Sequence, residues 1–357
     1  MPIPLEQRIA RYHQWRLRQD VERPMIGLIW EPDIPPLPEF LARVGSGAEV
    51  SPDEIDPELF FPAVERWHRH DAELTCDTIQ RFTPAFGIPW MEAIAGCRVI
   101  AKPGSLWAEP CLESYQDRPS LRLDAQNPWL RTLVAFTRAM VERSAGRFPV
   151  AVPQMRGPLD VLAAMRTPEQ MCIDLVEQPE EVRTVLGELA DLWIGVGRAV
   201  LDRIPPFRGG YMGRMGMWAP GPAITPQNDV STLLSPRTYA QFGLPGDRKI
   251  VENFPFTEYH MHSTEHRHVD ALLGLERLTA IEFTLEHTLG GPALGEMLPV
   301  ARRILDRKPL VLAAPDIDTA ERCLAELPAR GLCLTLATSG HCIPLQAIAW
   351  LREHRSC

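Results

Sequence analysis

Nowhere in the 357 residues does an unbroken apolar run approach the roughly 18 positions that suggest a membrane span, so no membrane segment is expected. The opening stretch, MPIPLEQRIARYHQWRLRQD, lacks the apolar middle and small-residue cleavage site of a secretory signal, and the expectation is a cytoplasmic protein. Lysine is scarce, with only Lys102, Lys249 and Lys308. With a net charge of −9 and no basic block long enough to track a phosphate backbone, nucleic acid is not an expected partner. The eight cysteines include no CxxC pair and no regular spacing, which argues against a zinc ribbon, a thioredoxin-type site or a secreted disulfide framework. Neither GxGxxG nor GxxxxGK[ST] occurs, so nucleotide-binding versions of an open α/β sheet lose weight.

What is present is a change of texture near residue 125. Residues 1–125 are proline-rich and irregular, with helices expected around 5–19 and 57–74 and a short strand at PMIGLIW; they read as an N-terminal extension capping the rest. Within it, GIPWMEAIAGC and GSLWAEP set Trp90, Glu92, Trp107 and Glu109 among turn-forming residues. They pack the cap on the main domain, or else Glu92 or Trp107 roofs a pocket.

Residues 126–357 alternate short apolar runs with amphipathic segments, the mark of a parallel sheet with helical crossovers. The strand candidates are 148–154, 208–213, 249–254, 257–262, 278–284, 309–314 and 331–337. So many repeats favour an α/β fold of the (β/α)8 TIM-barrel type, with an open doubly wound sheet as the alternative.

In a barrel, reactive side chains sit at the C-terminal ends of strands and in the loops after them. TEYHMH ends on His260 and His262, which alternation points to one side, so the pair can chelate one ion. Zinc is the natural choice for imidazole and thiolate donors, and Cys342, after the last strand candidate, could add a third ligand. Histidines at strand ends are also often only hydrogen-bonded to neighbours. His266 and His268 fall in STEHRHVDALL, a helix start capped by Ser263 or Thr264, where a solvated face is expected. Asn228 and Asp229, in a long polar loop, are candidate substrate contacts. Gln154 and Arg156, just after a strand candidate, would reach the same end of the barrel.

The segments PQMRGPLD, LVEQPEEV, NDVSTLLSPRTYAQFGLP, HMHS and the turn before PLQAI resemble, in order and separation, the uroporphyrinogen decarboxylase-like superfamily. The resemblance runs from about residue 70 and is strongest over 150–350, and it implies a (β/α)8 barrel. No RQAGR segment, the mark of the true decarboxylases, occurs. The resemblance is therefore to the zinc methyltransferase branch, which holds its metal with HxC and a later cysteine. On that pattern His260 matches the histidine, His262 the first cysteine and Cys342 the last, 342 − 262 = 80 residues on.

The resemblance implies a zinc-dependent, corrinoid-linked methyltransferase acting on a small molecule. No DxHxxG corrinoid signature is present, so cobalamin would come on a partner protein. The expected metal ligands are His260, His262 and Cys342, the catalytic candidates Glu92, Asp229 and Asn228, and the substrate-binding candidates Gln154, Arg156, Tyr211, Arg214 and Trp107. The alternatives are a lyase or decarboxylase of the same superfamily, using Glu92, Asp229, Arg156 and Arg214, and a silent binder of a tetrapyrrole or small anion.

Overall fold

The apolar runs pair into a six-stranded sheet, seen in a computed structural model that describes residues 3–31, 37–73, 76–84, 87–339, 349–350 and 353–354. Ten strands are defined among these: β1 (Met25–Glu31), β2 (Arg98–Lys102), β3 (Ser105–Glu109), β4 (Tyr211–Met212), β5 (Trp218–Ala219), β6 (Ala223–Ile224), β7 (Phe256–His262), β8 (Ala280–Thr284), β9 (Leu310–Ala314) and β10 (Leu332–Ser339). The sheet runs β1-β10-β9-β8-β7-β6, with every pairing parallel. β2 and β3 form an antiparallel hairpin of their own, as do β4 and β5. Helices connect the later strands, as crossovers between parallel neighbours require.

Both faces of this sheet are covered, which is why its strands read as continuous apolar runs rather than clean alternations. Ile26, Leu28, Tyr259, Ile281, Phe283, Leu312 and Leu334 face one core, which includes Leu189, Trp193 and Val196 of the long helix Pro179–Leu201. Met25, Ala280, Val311, Ala313 and Cys333 face a second, smaller core with Tyr12, Trp15, Met212, Met217 and Trp218. Beyond the free edge of β1, Asp77 N–H donates to the Ile26 carbonyl, and Phe82 exchanges backbone bonds with Pro149 and Ala151.

Three expected strands differ from the structure. Residues 249–253 belong to the helix Leu244–Asn253, with Phe254 just past its end; the helix has Pro245 in its first turn and buries Asp247, Ile250 and Val251 at helical spacing. A short apolar run such as KIV cannot distinguish the two periods. Residues 148–154 form no strand and make a single bridge, Phe82 to Val150; Pro149 and Pro153 remove the amides a ladder needs. Residues 208–213 reduce to β4, outside the main sheet. The segment 1–125 also differs from a pure cap, because β1 lies within the main sheet, paired to β10 over seven residues.

The stretch that follows β6 is fixed from two sides. Asn228 Oδ1 accepts Leu159 N–H (2.9 Å) at the start of the helix Pro158–Arg166, and its Nδ2 donates to Asp247 Oδ1 (2.7 Å). Asp247 also accepts the hydroxyls of Tyr239 and Tyr259. Burial lifts its carboxyl to about 7 against the opposing pull of these three donors. Gly157 completes the fit: a Cβ there would stand 1.9 Å from the Gln227 carbonyl oxygen and 2.4 Å from Asn228 Oδ1. Gly157→Ala is therefore expected to cost about 1–3 kcal/mol in denaturant unfolding. Amide exchange should accelerate first at 227–231, and unchanged stability would contradict this packing.

Candidate metal centre

Three consecutive strand ends carry the site. Asp229 lies five residues beyond β6, His260 and His262 close β7, and Glu286 lies two residues beyond β8. Along β7, Glu258, His260 and His262 alternate with Tyr259 and Met261, which face the helix-side core. Parallel register sets His260 opposite Glu282 and His262 opposite Thr284. Sheet geometry alone thus places a carboxylate beside the first imidazole.

His260 Nδ1 is hydrogen-bonded to Glu282 Oε2, and Glu282 Oε1 accepts the Thr284 hydroxyl at 2.8 Å. His262 Nδ1 faces Glu286 Oε1 at 2.9 Å. A carboxylate only accepts, so each imidazole carries a proton on Nδ1 and, in its neutral form, turns an acceptor Nε2 toward the other ring. Those two Nε2 atoms stand 3.2 Å apart. Two lone pairs so close repel unless a proton or a cation lies between them.

Asp229 supplies the third atom. Its Oδ1 is buried, accepts no hydrogen bond among the described residues, and stands 3.9 Å from His262 Nε2. Its Oδ2 accepts from Gln227 Nε2 (2.8 Å), whose Oε1 in turn accepts from Arg214 Nη2 (3.0 Å). Asp229, His260 and His262 each offer one ligand atom, all within 4.8 Å of one another. Two nitrogens bound at ordinary distance to one tetrahedral zinc stand about 3.3 Å apart, so the donor set fits such an ion. Carboxylates holding the far nitrogens of ligating histidines are the usual support for a metal site.

The surrounding charge favours a cation. Asp160 accepts the backbone N–H groups of Asp229 and Val230 (3.1 and 2.8 Å), and burial, then the Asp229 charge, raises its carboxyl well above the usual range. Glu265 is raised well above its usual range by the same two causes in the same order. It accepts the His262 N–H (2.7 Å) and the Ser231 hydroxyl (2.6 Å), fixing the turn after β7. Glu92 is fully buried in the helix Trp90–Ile94, and burial raises its carboxyl although Arg156 stands 3.4 Å away. A positive ion would relieve this crowding of acids.

The expected site residues divide. His260 and His262 come together, and Asp229 joins them as a ligand candidate. Cys342 lies outside the described residues, as does the turn before PLQAI. Asn228 differs from the expectation of a catalytic group: it is buried and its amide is committed to Leu159 and Asp247. Arg214 is buried and binds Gln227, so it reaches Asp229 only through that side chain. Arg156 is half exposed and pairs with Glu92. Gln154 is half-buried, Tyr211 is half-buried in the β4–β5 hairpin, and Trp107 is 61% exposed on the β2–β3 hairpin.

His268 also differs from its expected solvated position. The expected helix opens as a 3-10 turn, Ser263–His268, which turns the His268 ring inward to donate from Nε2 to the Ser231 carbonyl at 2.9 Å, and burial lowers its pKa. Cys333 is buried in the smaller core. Glu286 and Glu265 were not among the expected site residues. Glu286 could have been read from its place just past a strand end, and Glu265 from its capping-box spacing to His262.

A methyltransferase from Methanosarcina mazei has a similar structure, with a TM-score of 0.65 at 14% sequence identity, over 97% of this chain and 97% of that chain. At that identity the likeness is one of fold. No family model and no curated protein matches the chain. Among the described residues no helix is long and apolar enough to cross a membrane.

Glu282→Gln keeps the shape beside His260 but removes the charge that fixes its proton on Nδ1. Zinc affinity, read by competition with a chromophoric chelator, is expected to fall about 10–100-fold. Unaltered affinity would show that Glu282 serves packing alone.

Proposed function

We propose that the chain is a zinc-dependent methyltransferase of the uroporphyrinogen decarboxylase-like superfamily, acting on a small molecule and exchanging methyl with a corrinoid on a separate protein. On this reading the parallel sheet closes into a (β/α)8 barrel through the segments near residues 77–82 and 149–151, which meet at the bridge between Phe82 and Val150. The observation that carries the proposal is the convergence of His260 Nε2, His262 Nε2 and Asp229 Oδ1 beyond adjacent strand ends. The fold shared with a methyltransferase supports the reaction class.

Zinc, when bound, supplies a Lewis acid that lowers the proton affinity of a thiol or polarises the heteroatom bearing a methyl group. His260, His262 and Asp229 would hold it, with Cys342 proposed as a further ligand from the last strand end. The chain's own residues do the rest. Glu282 and Glu286 keep the imidazole protons on Nδ1, and Asp160 holds the Asp229 backbone in place. Arg156, half exposed beside Glu92, is a cation able to orient an anionic substrate group.

The same Glu92–Arg156 pair favours the second reading, a lyase or decarboxylase acting on a small carboxylate. One experiment separates the two: zinc-loaded protein incubated with methylcobalamin and a panel of small thiols, followed by the absorbance change on demethylation. Transfer is expected, and the His260→Ala, His262→Ala double variant should abolish it. Release of carbon dioxide from a carboxylate panel with no demethylation in zinc-loaded protein would favour the lyase.

A further inference from the structure

Outside the metal centre, two thiols face each other. Cys97 Sγ and Cys111 Sγ are 3.4 Å apart, and both cysteines are free. Cys97 immediately precedes β2 and Cys111 lies two residues beyond β3, so the pair sits at the open end of the hairpin, outside its last rung, Arg98 to Glu109. Cys97 is buried, whereas Cys111 is only partly so and is the thiol a solute can reach. The two are tied to different parts of the fold. Cys97 N–H donates to the Glu92 carbonyl, and Cys111 N–H to the Met165 carbonyl in the helix that begins at Pro158 and carries Asp160.

We propose that Cys97 and Cys111 are an oxidisable dithiol, a modification site for hydroperoxides, whose disulfide staples the base of the β2–β3 hairpin between the helices carrying Glu92 and Asp160. Cys111 Sγ, as thiolate, attacks one peroxide oxygen. The O–O bond breaks, Cys111 becomes a sulfenic acid, and the departing hydroxide takes a proton to become water. Cys97 Sγ then attacks the Cys111 sulfur, the S–O bond breaks, and the displaced hydroxide leaves as water with the Cys97 proton. The balance is two thiols and one hydrogen peroxide to one disulfide and two waters.

The local chemistry suits this order. The contact between the sulfurs lowers the pKa of the one that accepts the hydrogen bond, and burial raises that of Cys97, so the less buried Cys111 is the sulfur assigned the attack. Among the described residues no other two cysteines are hydrogen-bonded sulfur to sulfur; Cys172, half-buried, is the comparison thiol. The bond closes a loop that is open in the reduced unfolded chain, so the oxidised protein should be the more stable.

The test exposes reduced full-length protein to hydrogen peroxide, blocks residual thiols with iodoacetamide, and maps peptides by mass spectrometry alongside a melting curve. The expected product is a cross-link of the Cys97 and Cys111 peptides, two hydrogens lighter, with a melting midpoint several degrees higher that dithiothreitol reverses. Cys111→Ser should lose both effects, and Cys97→Ala should leave Cys111 as a trapped sulfenic acid that dimedone labels. Oxidation of Cys172 with the pair left reduced, or a cross-link that fails to raise the midpoint, would overturn the proposal.

Discussion

The structure of the site depends on one constraint: two imidazoles on one strand are made to present lone pairs to the same point. β7 supplies the alternation that puts His260 and His262 on one side, and Glu282 and Glu286 take the Nδ1 protons. Without those carboxylates either ring could turn its proton toward the other, and the 3.2 Å contact would be an ordinary hydrogen bond. With them, the contact is favourable only around a positive charge. Asp229 Oδ1, buried and without a donor among the described residues, completes the same demand.

Placing so many acids in one region is costly, and the fold offsets the cost with backbone and side-chain donors. Asp160 accepts two backbone amides, Glu265 an amide and a hydroxyl, and Asp247 two tyrosines and an asparagine. These bonds also locate the ligands. Asp160 holds the backbone of Asp229, Glu265 holds that of His262, and Asp247, through Asn228, holds the residue before Asp229. A shift in any one of them moves a candidate ligand, so the polar network and the site form one unit.

Much of this was legible before the structure. The alternation in TEYHMH and its place at a strand end identify His260 and His262, and the runs at 278–284, 309–314 and 331–337 became β8, β9 and β10 with small changes at their ends. Asp229 was legible as a polar loop residue but not as a ligand candidate, because its approach depends on a parallel pairing of β6 with β7 that involves only two rungs. Asn228 looked equally reactive; only the clasp with Leu159 and Asp247, residues 69 and 19 positions away, shows it to be a brace. His268 misled because a 3-10 turn rotates side chains differently from an α-helix, sending it into the interior. KIVENF misled because three apolar residues carry no period.

The central claim is that His260, His262 and Asp229 hold one zinc ion. A two-histidine, one-carboxylate set also suits ferrous iron, so the decisive measurement must read both the metal and its neighbours. Zinc-edge X-ray absorption on the purified chain, calibrated by elemental analysis, does so. The account expects one zinc per chain, with the scattering pattern of two imidazoles, and loss of that pattern in the His260→Ala, His262→Ala double variant. A chain that retains iron instead of zinc, or a zinc shell the double variant leaves unchanged, would contradict it.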